Sequence, residues 1–111
     1  MSKKSKIILN IELDEHEVPQ IISWQADDAG FDGEKVADAM MLSLWDKEEK
    51  LTFGIDLWTD QMLVENMNIL FHQTFLKMAD TYNRATNNFE VSEMIRKLAD
   101  DFAEKLSLLQ K

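Results

Sequence analysis

The sequence has no cysteine, one proline and only three glycines among its 111 residues. Without cysteine there are no disulfide staples, thiolate metal sites, iron–sulfur clusters or cysteine nucleophiles. The glycines are too few to cradle a phosphate, and no G-x-G-x-x-G, Walker-type or G-x-S-x-G run occurs. Positive charge is also scarce. Twelve Lys and Arg against 21 Asp and Glu leave a net charge of −9 and a pI near 4.6. That balance repels phosphate backbones and anionic lipid surfaces, so nucleic acid is not an expected partner. Long hydrophobic runs are missing too, since nothing approaches the roughly 18 apolar residues that span a bilayer. The run IILNIELD behind the basic SKKSK is broken by Asn10 and Glu12, which excludes a signal-peptide core and direct membrane insertion. A soluble, intracellular protein is expected.

What is present, 45% apolar and 30% charged residues, suits one ordinary globular domain spanning residues 1–111. Ile7, Leu9, Ile11 and Leu13 alternate with Ile8, Asn10 and Glu12, the period of a half-buried strand. After the break at DEHEVP, residues 20–26 alternate again. Pairing the two runs sets Ile11 opposite Ile22, Leu9 opposite Trp24 and Ile7 opposite Ala26. Around KEEK, residues 40–58 fold into a second hairpin in which Leu44 faces Phe53, Leu42 faces Ile55 and Met40 faces Leu57. The intervening DDAGFDGEKVADA carries five acidic residues and two glycines and reads as a loop with a short helical turn near 34–38.

Beyond Thr59 and Asp60, either of which suits a helix cap, the period becomes 3.6 through Met67, Leu70, Phe71, Thr74, Phe75, Met78, Ala79 and Tyr82. A second stripe, Val91, Met94, Ile95, Leu98, Phe102, Leu106 and Leu109, follows a cap at Ser92 or Asn88. The expected fold is α+β: a four-stranded antiparallel sheet of two hairpins, followed by two C-terminal antiparallel helices packed on one face. Strands are expected at about 6–13, 20–26, 40–46 and 51–58, and helices at about 62–84 and 91–109.

Little here suits chemistry. Asp27, Asp28, Asp32 and Glu34 around Gly33 suggest calcium, but starting the loop at Asp28 puts Gly30 third and Ala39 twelfth, where ligands are required. His16 lies in the acidic turn DEHE and reads as an exposed turn residue. His72 borders the apolar stripe, and one imidazole without a fixed partner makes no reaction. No catalytic residue, cofactor or metal is expected, and the protein is not read as an enzyme. Apolar surface on the far face of the sheet stands out instead: Ile8, Ile21, Met41 and Trp45, with Trp58 at a strand end. Either the 27–39 loop covers that face or a partner does. Met41, Trp45 and Trp58 are therefore the candidate interaction residues, and Ile69, His72 and Leu76 form a second candidate ridge.

The collinear segments IELDEHEVP, ISWQADDAG, MMLSLWD, IDLWT, FHQT, MADT followed by RAT, and FAEK resemble the gliding motility protein GldC family of Bacteroidota. The resemblance implies a small cytoplasmic accessory protein that supports gliding and is neither motor nor enzyme. Its partner would be a protein of the gliding or secretion machinery, with a homodimer as a further expectation. The element order is also that of SecB-type export chaperones, which makes a holdase for unfolded or secretory peptides the alternative, one that the seven methionines would suit.

Overall fold

The computed structural model describes residues 2–108. In chain order the elements are β1 (Ile7–Leu13), β2 (Pro19–Ala26), β3 (Lys35–Ala37), β4 (Ala39–Trp45), β5 (Thr52–Trp58), α1 (Val64–Thr86) and α2 (Phe89–Lys105). They form two compact units, Met1–Met62 and Leu63–Lys111. The expected α+β class holds, and the strands stand within a residue of their expected bounds. The expected end of the second helix at residue 109 lies outside the described residues.

In the first unit a carboxylate organises each hairpin. Asp14 Oδ1 accepts from the N–H groups of His16 at 2.7 Å and Val18 at 2.9 Å. Asp46 Oδ2 does the same for Glu48 at 3.2 Å and Glu49 at 2.6 Å. Asn and Asp favour such turns because their short side chains bond the backbone a few residues on. These turns fix the registers. Ile11 pairs with Ile22, Leu9 with Trp24 and Ile7 with Ala26. Leu44 pairs with Phe53, Leu42 with Ile55 and Met40 with Leu57. All six agree with the hydrophobic pattern.

The single four-stranded sheet does not hold. There are two antiparallel sheets, one of three strands in the order β1-β2-β3 and one of two, β4-β5. The cause is β3, which replaces the helical turn expected near 34–38. Gly33 reverses the chain at φ +82°, and Glu34 Oε2 then accepts from Asn10 Nδ2 at 3.3 Å and Ser23 Oγ at 3.1 Å. This anchors the following residues against β2, with Val36 opposite Ser23. Only Asp38 separates β3 from β4, so one run of chain pairs first with β2 and then with β5. Thr59 N–H donates to Asp38 O at 2.8 Å at that corner. Thr59 is buried there and its Oγ1 accepts from Gln61 N–H. It caps no helix: α1 starts after Leu63, which offers no side-chain cap.

In the second unit, α1 ends at Asn87, whose left-handed φ of 56° lets its N–H reach Asn83 O. Asn88 caps α2 by accepting from Val91 N–H at 3.2 Å. Ser92, the other expected cap, lies inside the helix, buried, with its hydroxyl donating to Ala79 O at 2.7 Å. The seam between the helices is built on Ala79, Ala99 and Ala103, all fully buried. Phe75 packs edge-on against Phe102 at 5.2 Å.

Candidate functional site

The β4-β5 hairpin alternates strictly, so its two faces follow from the register. Met40, Leu42 and Leu44 share one face with Phe53, Ile55 and Leu57. The other carries Ala39, Met41, Ser43 and Trp45 beside Trp58, Asp56, Gly54 and Thr52. Met41, Trp45 and Trp58 thus share a face, as the sequence suggested. Trp58 lies diagonally across from Met41, a spacing of about 7–8 Å between Cα atoms. Trp45 stands four residues further along, about 13 Å away. Between the two tryptophans Ser43 and Gly54 sit opposite each other, which leaves a shallow floor between aromatic ends. Trp45 is 67% exposed, Trp58 56% and Met41 39%.

The 27–39 segment does not bury this face, nor Ile8 and Ile21, which are also exposed. Its aromatic, Phe31, packs edge-on against Trp24 at 5.2 Å, and Lys35 Nζ lies 4.6 Å from the Phe31 ring centroid. Two of the loop acids tie the segment to the residues before β1. Asp27 accepts from Lys6 N–H at 3.0 Å and Asp28 from Ser5 Oγ at 2.6 Å. Among the described residues no three His, Asp or Glu side chains converge as a metal ion would require.

Ile69, His72 and Leu76 form a ridge on α1 at helical spacing. Ile69 is exposed, and His72 and Leu76 are half-buried. His16 is an exposed turn residue, its Nε2 3.7 Å from Glu15.

Two further features of the helical unit were not singled out from the sequence. Phe71, Met78, Met94 and Leu98, assigned to core stripes, are exposed. Thr74, Met78, Tyr82, Ala85 and Ile95 line an open trough of about 440 Å³. The readable signal was the alanines, whose small side chains mark where the helices approach closest and leave the larger apolar groups beside that line. The second feature is a polar depression of about 520 Å³ flanked by Arg84, Arg96, Asp80 and Glu93. Arg96 bonds Asp80 at 2.6 Å and Glu93 at 3.2 Å. Asp80 first, through its hydrogen bond, favours the charged guanidinium. Two cations and two anions cancel there, so the group clamps α1 to α2 without forming an anion site.

No described helix is long and apolar enough to cross a membrane. No curated protein and no solved structure matches the chain. One family model does, described as gliding motility-associated protein GldC-like, and it covers residues 19–108. That range takes in β2 to β5, the aromatic face of the hairpin and both helices. A match over most of the chain, agreeing with the collinear segments from ISWQADDAG to FAEK, means that this protein belongs to the GldC-like family of gliding motility-associated proteins.

Proposed function

We propose that the protein is a cytoplasmic, non-enzymatic accessory of gliding that works by binding another protein of the gliding or secretion machinery through the β4-β5 face. The observation that carries this reading is the exposure of Trp45, Trp58 and Met41 on one side of a rigidly registered hairpin. Tryptophan and methionine are enriched at interfaces, tryptophan as a large, stiff apolar anchor and methionine as a flexible apolar side chain that adapts to the partner's surface. A Trp45→Asp variant in a gliding host lacking the native protein tests it. Gliding and capture of a partner, identified by mass spectrometry with the parent protein, should both be lost while circular dichroism stays native. Unimpaired gliding with full capture would refute the assignment.

The holdase alternative draws on a separate observation, the open trough beside Met78 and the exposed Met94. Flexible methionines adapt to unrelated apolar peptides. In that case near-stoichiometric protein should suppress aggregation of an unrelated unfolded client, and Met78→Asp should abolish the effect while Trp45→Asp would not.

A further inference from the structure

The outer edge of β1 pairs with no strand among the described residues, because β1 ends the order β1-β2-β3. Which backbone groups it presents follows from one bond. Asp27 N–H donates to Lys6 O at 3.0 Å, so Lys6 faces β2. Antiparallel alternation then turns Ile8, Asn10 and Glu12 toward β2, and Ile7, Leu9 and Ile11 outward. Natural edge strands are usually blunted by lysine, proline or a bulge. The run IILNIEL contains neither lysine nor proline, and its one irregularity falls at its end, between Glu12 and Leu13. Ile7 is 72% and Leu13 52% exposed. This is an apolar edge poised to accept another strand.

The pattern of β1 indicates which strand. We infer that β1 pairs antiparallel with β1 of a second copy of this chain, across a two-fold axis at Asn10, joining the two three-stranded sheets into one of six. The strand 7–13 is centred on Asn10, so this register alone pairs every residue of it. It sets Leu9 opposite Ile11 and Ile7 opposite Leu13 of the second copy, each through outward-facing amides, on one continuous apolar face. The outward residues form the hydrogen-bonded pairs, and Asn10 meets Asn10 in a non-hydrogen-bonded pair. Asn10 uses one amide N–H on Glu34, which leaves its carbonyl oxygen and second N–H for the facing amide.

Charge selects the same register. The segment before β1 is SKKSK and the turn after it is DEHE. Pairing about Asn10 lays Lys6 beside Asp14 of the second copy and brings the rest of the basic segment to the end of the strand pair where the other copy's acidic turn closes, Glu17 N–H donating to Asp14 O at 3.0 Å, whereas parallel pairing would set like charges together. Within one chain no ion pair joins Lys3, Lys4 or Lys6 to a described acid. A closed two-fold pairing of identical edges also ends the assembly at two copies, which keeps the edge from growing a fibre. β1 precedes the family-matched residues 19–108, and this surface is distinct from the Trp45 face.

The full chain at micromolar to about 200 micromolar concentration should sediment with twice the 12.9 kDa chain mass. Because the protein has no cysteine, Asn10→Cys gives a clean probe. Non-hydrogen-bonded partners lie about 4.5 Å apart at Cα, within disulfide reach, so mild oxidation should link the dimer almost completely. Ile8→Cys, offset from its own copy by about 13 Å, should not link. Lys3→Glu with Lys4→Glu, and separately Glu15→Lys with Glu17→Lys, should each weaken the dimer at least tenfold, and all four together should restore it. Trp45→Asp should leave the dimer intact. A monomer at the highest concentration, equal linking at positions 8 and 10, or no rescue by the four-fold charge swap would each overturn the inference.

Discussion

Ile22 is the only large apolar side chain among the described residues that is essentially sealed from solvent, at 1% exposure. It sits in the middle strand of the three-stranded sheet, between Ile11 on β1 and Ala37 on β3. Ile22→Ala removes three carbon atoms, which at about 0.8 kcal/mol per buried methylene amounts to about 2.4 kcal/mol. An unrelaxed void of about 50 Å³ adds about 1.2 kcal/mol at roughly 24 cal/mol per Å³. The expected loss is therefore about 3–4 kcal/mol. Urea unfolding followed by tryptophan fluorescence is the matching assay, because Trp24, Trp45 and Trp58 all belong to the first unit. With a slope of about 1.5 kcal/mol per M, the midpoint should fall by about 2 M or more. Should the alanine variant not fold, Ile22→Val, expected to cost about 1 kcal/mol, gives the graded point. A midpoint for the alanine variant within about 0.3 M of the parent would show that Ile22 does not anchor the sheet.

Other substitutions probe the local arguments. Gly54 tolerates a Cβ, whose nearest neighbour would be Leu42 O at 3.6 Å, so Gly54→Ala should be neutral or stabilising by about 0.5–1 kcal/mol. Gly33→Ala meets no clash but a φ of +82°, and should cost about 1–2 kcal/mol in the same urea titration. Ser92→Ala deletes the buried bond to Ala79 O and should lower helical stability, read at 222 nm, by about 1 kcal/mol. Asn88→Ala should cost about 1 kcal/mol by removing the cap of α2; an unchanged thermal midpoint would show that the cap contributes nothing.

The registers of both hairpins were legible because alternation has a period of two, and sliding either strand by one residue would have turned every apolar side chain to the wrong face. Turn carboxylates at Asp14 and Asp46 reinforced the same choice. β3 was not legible. Three residues carry no measurable period, and what holds Lys35–Ala37 extended is the free edge of β2 and the bonds from Glu34 to Asn10 and Ser23, 24 and 11 residues away. The same limit applied to capping: both Asn88 and Ser92 fit a helix start, and only the placement of Ala79 against Ser92 decided between them. Trp45, Met41 and Trp58 could be assigned to one face from the sequence, but their exposure depended on where the 27–39 segment went, and it went to the edge of β2 with Phe31 against Trp24.

Sequence periodicity by itself determined the α+β class and the pairings within the two hairpins, and the collinear segments, through their resemblance, indicated the family to which the chain belongs. Tertiary structure alone decided that the sheet divides at Asp38, that alanines seal the helix seam while Met78, Met94 and Leu98 stay exposed, and which amides of β1 face outward. The division has a physical cause: pattern records the side on which each residue lies relative to its near neighbours, whereas burial, edges and corners depend on segments that meet only after the chain has folded.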